Sequence, residues 1–227
     1  MLQQLISSYA AGTVILVKLE EATRTFHPIG SAFVCHGKGY LLTAAHIVKL
    51  DMKLGIIVQQ VTTDFQPFTI PEAQVFSVSI AGFDAANDVA LLKIEEPMTV
   101  GVPDGMFGND AETALGELCG YVGFPFADRG LHVRHVASAN LSAKVISASG
   151  ARQYQLDSMI HEGCSGGPLV NIRTGRIIGV MAGRYAPSGA SPSVFIGGRP
   201  VGTDSAISYA TCIEYGLALM MEAGLEV

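Results

Sequence analysis

Apolar residues fall in short runs along most of the chain, and Gly, Pro, Asn, Asp or Ser bounds nearly every run. The first half holds GTVILVKL, GSAFVCHGKGYLLTAAHIV, KLGIIVQQV and NDVALLKI. The second holds ELCGYVGF, HVRHVASANLSAKVISA, RQYQLDS, GPLVN, RIIGVMAG and AISYA. Strand-like runs at this density, with turn residues between them, predict an all-β barrel or sandwich. Alternation is only partial, as at Val136, Leu141 and Val145 or at Tyr154 and Leu156. The pattern therefore places strands better than it places their ends.

Two stretches break the pattern. EEPMTVGVPDGMFGNDAETALG, residues 95–116, is rich in Gly, Pro and acidic residues and reads as a connection between two lobes. RYAPSGASPSVFIGGRPVGTDS, residues 184–205, reads as a long surface loop of the kind that shapes a binding site. Helical spacing begins near Thr211, where CIEYGLALMMEAG sets Ile213, Leu217, Met220 and Met221 to one side, with Gly224 as the stop. The methionines of that helix read as docking surface. A shorter helix is predicted over Leu2–Tyr9. Residues 1–227 are expected to form one unit: lobe one over about 10–95, a linker over about 96–116, lobe two over about 117–211 and a helix over about 211–223.

Composition narrows the class. Of the 227 residues 49% are hydrophobic and 15% charged, with no low-complexity tract, which excludes a disordered chain. Net charge is −6 and Lys and Arg do not cluster, so neither nucleic acid nor a membrane surface is expected as a partner. No apolar stretch reaches the roughly 18 residues of a spanning helix. Thr13–Val17 has no basic residue ahead of it, so no secretory leader is expected. Cys35, Cys119, Cys164 and Cys212 lack CxxC spacing and a nearby His pair. No metal and no cofactor are expected, and the cysteines read as reduced thiols of a cytoplasmic protein.

HEGCSGGPLVN, residues 161–171, sets Cys164 beside Ser165 among three glycines. A hydroxyl nucleophile needs a base, a carboxylate to orient that base, and donors for the oxyanion that develops. Without a Cβ, Gly163 can turn its amide toward a substrate carbonyl, and Gly166 and Gly167 allow a sharp turn that exposes the hydroxyl. The amides of Gly163 and Ser165 are thus candidate oxyanion donors. LLTAAHIV places His46 directly after a strand-like run, and NDVALLKI places Asp88 just before one. His and Asp then belong to lobe one and Ser to lobe two, which predicts a site across the lobe interface. Asp84, in a predicted loop, is a rival for the acid.

GSAFVCHGKGYLLTAAHIV, NDVALLKI and GCSGGPLVN together resemble the three signature segments of the trypsin-like serine proteases of the chymotrypsin fold. Within that family they are most similar to the bacterial high-temperature-requirement, or HtrA-like, type. The likeness continues through QLDSMIHEGCSGGPLVN, RIIGVMAG and AISYA and covers most of residues 12–224. It implies two packed six-stranded antiparallel β-barrels with a cleft between them and a C-terminal helix. It also implies a serine endopeptidase acting on a protein or peptide substrate, with His46 as general base, Asp88 as orienting acid, Ser165 as nucleophile and Gly163 as outer oxyanion donor. The family nucleophile immediately precedes GGP, which favours Ser165 over Cys164. The pocket walls implied are Met159 and Ile160 on one side and Met181, Ala182 and Gly183 on the other. None is charged, so cleavage after small to medium apolar residues is expected. Cys164 stands where digestive trypsins carry an acid that pairs with a newly cut N-terminus, so that activation route is not expected. Ile47 takes the place of the family's disulfide cysteine, and the chain reaches Val227 without a PDZ-like module. A regulatory partner or a homo-oligomer is compatible with the sequence. A peptide-binding module without turnover is the rival reading, weakened by the presence of all three triad residues.

Overall fold

Strands form where the sequence alternates or runs apolar, and six of them close into each of two antiparallel barrels. The computed structural model describes residue 3, residues 6–185 apart from 21, 24, 63 and 71, residues 194–196, 199–201 and 205–227. Barrel one comprises β1 (Thr13–Glu20), β2 (Thr25–His36), β3 (Tyr40–Thr43), β4 (Leu54–Ile57), β5 (Val75–Asp84) and β6 (Val89–Ile94), in the order β1-β2-β3-β6-β5-β4. Barrel two comprises β7 (Leu118–Gly123), β8 (His135–Ile146), β9 (Arg152–Leu156), β10 (Pro168–Asn171), β11 (Arg176–Arg184) and β14 (Ser208–Cys212), in the order β10-β11-β14-β9-β8-β7. Closure leaves no open sheet edge on either barrel. β12 (Val194–Ile196) and β13 (Arg199–Val201) pair as a separate ribbon within the stretch read from sequence as a loop. The rest of residues 186–204 lies outside the described residues.

The partial alternation in the sequence has a structural cause. In β1, Val14 and Leu16 face the centre of barrel one, while Ile15 and Val17 face outward onto Phe124 and Ala127 of barrel two. In β6, Ala90 and Leu92 fill the barrel, while Val89 and Leu91 join a cluster between the barrels. β10 and β11 repeat this, with Leu169 and Ile178 inside barrel two and Val170 and Ile177 at the interface. Strands buried on both faces lose the apolar–polar alternation of a half-exposed sheet. Each such aliphatic side chain contributes about 1.5–3 kcal/mol on burial.

The C-terminal helix α1 (Ile213–Glu222) stops as its sequence predicts. Gly224 takes φ 72°, its amide donates to Met221 O at 2.9 Å, and Leu225 N–H donates to Met220 O at 3.0 Å. This paired closure satisfies carbonyls that a helix end leaves open. The buried face is Ile213, Gly216, Leu219 and Met220. Met221 is exposed and Leu217 half-buried, so the docking face is rotated from the one the sequence suggests. Near the N-terminus, a π-helical turn over Ile6–Ala10 occupies part of the helix predicted over Leu2–Tyr9, of which Leu2, Gln4 and Leu5 lie outside the described residues.

Candidate active site

β3 and β6 are neighbours that pair Thr43 with Ala90. A residue just after β3 therefore lies beside one just before β6. His46 follows β3 on a single 3-10 turn, Ala45–Ile47, and Asp88 precedes β6 at the end of a four-residue turn. Asp88 Oδ1 accepts the backbone N–H of His46 at 2.8 Å, and His46 Nδ1 lies 3.0 and 2.9 Å from Oδ1 and Oδ2. A carboxylate can only accept, so Nδ1 carries the proton and Nε2 is left with its lone pair free for a substrate-side proton. The imidazole is about half exposed and Asp88 is more covered, at 47% and 24% of side-chain surface.

Asp88 has φ 57°, a left-handed conformation that Asp tolerates better than most residues. Its turn is shaped by Asp84, whose Oδ1 accepts Asn87 N–H at 3.0 Å and whose Oδ2 accepts Asn87 Nδ2 at 2.6 Å. Ser149, from the β8–β9 hairpin of barrel two, donates to Ala86 O at 2.7 Å. Asp84 is thus occupied in building the turn that presents Asp88, and only Asp88 reaches the histidine.

Ser165 sits in a turn whose peptide planes are each held. Glu162 O accepts Phe126 N–H at 2.8 Å, and Gly163 O accepts Ser31 Oγ at 2.7 Å. Cys164 O accepts Gly167 N–H at 3.0 Å, and Ser165 O accepts Ser31 N–H at 2.8 Å. Among the described residues no peptide bond is cis, so in each plane of the turn the amide points opposite the carbonyl. The amides of Cys164 and Gly166 are used, on His161 O and Met181 O. Those of Gly163 and Ser165 make no hydrogen bond among the described residues. Two unpaired amides, two residues apart and one of them the serine's own, form an arrangement that can bind an oxyanion. Gly163 is required here twice over: its φ is 95°, and a Cβ would stand 2.3 Å from Phe124 O.

The Ser165 hydroxyl donates to Ala182 O at 2.9 Å, its one hydrogen bond among the described residues. Ala182 is the extra residue of a bulge in β11, between the pairs Met181–Ala210 and Gly183–Tyr209. A bulge re-aims the backbone locally, and here it turns a carbonyl onto the Ser165 hydroxyl. A Cβ on Gly30 would lie 2.5 Å from Ile47 Cδ1 and 3.0 Å from Ser165 O, so the residue after His46 packs close to the Ser165 carbonyl. Among the described residues Ser165 Oγ and His46 make no hydrogen bond to one another. Catalytic hydrogen bonds are often open before substrate binds.

A family model of the trypsin-like peptidase domain matches residues 30–180. The chain belongs to the trypsin-like peptidases. Among similar proteins, Protease Do-like 1, chloroplastic, of Arabidopsis thaliana is 31% identical over 169 residues, covering 73% of this chain and 35% of that protein. A probable periplasmic serine endoprotease DegP-like of Chlamydia trachomatis is 30% identical over 169 residues, covering 70% of this chain and 29% of that protein. The periplasmic pH-dependent serine endoprotease DegQ of Escherichia coli is 25% identical over 177 residues, covering 77% and 35%. The chain spans about a third of the length of these relatives. Among solved structures, the HtrA-type protease AlgW with tripeptide superposes with a TM-score of 0.70 at 21% identity, covering 98% of this chain and 63% of that one. These are HtrA/DegP-like serine proteases, and the fold is theirs.

In this trypsin-like peptidase the cavity beside Ser165 is lined by Phe126, Arg129, Ile160, His161, Glu162 and Arg184, with a volume of about 320 Å³. Ile160, a wall residue expected from the sequence, is part of that lining. Met159 is half-buried outside that lining, and Met181 is fully buried with its amide on Gly167 O. Ala182 and Gly183 also lie outside the lining. Glu162 pairs with Arg129 at 3.2 Å, and Arg129 stands 5.5 Å over the Phe126 ring. Phe126 and Arg129 are functional candidates that strand patterning does not mark. Their one sequence signal is position, in the FPFADRG turn after β7. Cys164 is buried, and burial pushes its thiol up to about 12. Among the described residues no three His, Cys, Asp or Glu gather as a metal site, and no helix is long and apolar enough to cross a membrane.

Proposed function

We propose that the chain is a serine endopeptidase using His46, Asp88 and Ser165, with the amides of Gly163 and Ser165 as oxyanion hole, and that it cleaves after small to medium apolar residues. The observation that carries this reading is the pair of unpaired amides beside Ser165, in a chain whose His46 is held with Nε2 free. Ser165 turns from Ala182 O to Nε2 and gives up its proton as Oγ bonds to the substrate carbonyl carbon. The carbonyl oxygen gains the negative charge between the two amides. Imidazolium, steadied by Asp88, returns the proton to the leaving nitrogen as the C–N bond breaks. Water, deprotonated by the same Nε2, then cleaves the ester and restores Ser165. The apolar preference follows from charge. Among the described residues, Glu162 is the one acid lining the cavity, and it is paired with Arg129. A buried Lys or Arg of the substrate gains no free carboxylate there and loses its hydration.

A fluorophosphonate probe, which needs an activated serine and an oxyanion hole, should label the wild type and fail on Ser165→Ala. Peptide-library profiling should then return Val, Ala, Leu or Met before the cleaved bond. Labelling that survives Ser165→Ala removes the triad assignment, and a dominant preference for Arg or Lys removes the substrate class.

A further inference from the structure

We propose that Ser31, on β2 of barrel one, is a positioning residue that holds the oxyanion hole of barrel two in shape. The inference rests on the protease reading above and adds to it a residue that never touches substrate. Ser31 is fully buried, and each of its polar groups is engaged. Its N–H donates to Ser165 O at 2.8 Å, and its O accepts the Thr43 hydroxyl at 2.7 Å. Its own hydroxyl accepts Phe124 N–H at 3.1 Å, and its one proton goes to Gly163 O at 2.7 Å. One side chain of the opposite barrel thus holds the peptide following Gly163 and the strand end that packs against that glycine.

This matters because Gly163 is the least restrained point of the turn. Without a Cβ, its two flanking peptides rotate with little steric resistance. The peptide before it is held by Phe126 N–H on Glu162 O, and the carbonyl of the peptide after it is held by the Ser31 hydroxyl. With the second hold removed, Gly163 O and Phe124 N–H are left buried without that partner, and the peptide gains a reason to turn. The Gly163 amide lies in the preceding peptide, held by Phe126 two residues beyond Phe124, so releasing Phe124 N–H from Ser31 loosens that hold as well and the amide loses its aim at the oxyanion. The contact surfaces are already tight: a Cβ on Gly166 would stand 2.0 Å from Ser31 O and 2.3 Å from Thr43 Oγ1. Thr43, fully buried and three residues before His46, fixes Ser31 from behind, so the base and the oxyanion donors share one scaffold. Both residues lie within GSAFV and LLTAAH, but a strand pattern cannot say that a small polar residue is buried and aimed at another barrel.

The test compares Ser31→Ala with Ile56→Ala, a core truncation inside barrel one that is remote from the turn. Ser31→Ala should lower kcat about 10- to 100-fold, as expected for misaimed rather than deleted donors, with KM changed less than about 3-fold. Affinity for a peptide boronic acid, whose tetrahedral adduct occupies the oxyanion hole, should fall by the same factor. Ile56→Ala should lose stability while leaving kcat and boronate affinity within about 3-fold of wild type. Equal kcat in Ser31→Ala and wild type, or an equal kcat loss in Ile56→Ala, overturns the assignment. Hydrogen exchange over residues 162–167 reads the same hold without turnover. Ser31→Ala should exchange there at least about 10-fold faster than wild type, and Ile56→Ala should not. Unchanged exchange overturns the proposal, whereas a wild type that neither labels nor cleaves overturns the protease reading alone.

Discussion

Cys164 and Ser165 are neighbours in sequence with opposite surroundings. The Cys164 side chain packs on Gly123, where a Cβ would stand 3.3 Å from Sγ, and burial holds its thiol near 12. A thiol attacks as thiolate, so this one is inert at neutral pH. Cys164→Ala should keep kcat/KM within a few-fold of wild type, and the native protein should resist iodoacetamide at pH 8. Ser165→Ala should lose on the order of 10⁴ or more in kcat. Inactivation by Cys164→Ala would transfer the chemistry to the wrong neighbour. The motif order favours Ser165 in the sequence, because GGP follows it. The resting hydrogen bond of Ser165 to Ala182 was not readable, since it depends on a bulge in a strand far along the chain. His135 gives a pH signature of its own. Burial, and then the nearby His161, lower its affinity for a proton in the folded state. Above the unfolded value of about 6.5 both states are neutral and no penalty exists. As pH falls below that value the unfolded chain takes up a proton that the folded one resists, so stability declines. Thermal melts at pH 5 and 7.5 should show a smaller acid loss in His135→Gln than in wild type. An identical loss in both would remove His135 as its source.

At the scale of the element, the nucleophile turn is the place where glycine is dictated by neighbours. Gly166 has φ 87°, and a Cβ there would enter the shell of Ser31 O at 2.0 Å. Gly167 would meet Val122 O at 2.1 Å. These are backbone atoms of two different strands, and neither can yield as a flexible side chain would. Gly166→Ala combines a disfavoured φ with overpacking, each costing about 1–3 kcal/mol, and should lower the melting temperature as well as activity. A Gly166→Ala protein with wild-type melting and labelling would show that the turn is looser than its contacts. The sequence made the turn legible through its glycines and its apolar run, but left unnamed the atoms that enforce it. The same holds for the lining of the cavity beside Ser165. Ile160 lies in a stretch that the sequence marks, but Phe126 and Arg129 come from another loop that the chain pattern leaves blank, and Met181 is consumed by the barrel core.

Over the whole molecule, the barrels are joined by a hydrophobic core of their own. Phe33, Leu42, Val89 and Leu91 of barrel one meet Val122, Val170, Ile177 and Val180 of barrel two, and α1 adds Ile213, Leu219 and Met220. The segment that reads as a linker is built into this contact. Met106 is buried in the cluster, Phe107 bridges to Ile177, and Asp110 binds Glu214 Oε1 through its amide at 2.8 Å and Arg152 through its carboxylate at 2.6 Å. Composition cannot reveal this, because Gly, Pro and Asp serve a fixed irregular segment as readily as a loose one. α1 continues from β14 of barrel two, yet Gly216 packs on Leu42, and Leu219 packs on Gly82, both of barrel one. The helix thus ties Ser165's barrel to that of His46 and Asp88. Leu219→Ala should cost about 2–5 kcal/mol from lost burial and cavity. Because the cluster is shared, that loss should fall on both barrels together. Far-UV circular dichroism and fluorophosphonate labelling should melt in one coincident transition, shifted to lower temperature in the variant. Labelling lost well before the β-signal would mean that the barrels part while each stays folded, and that their shared core is not what aligns the triad.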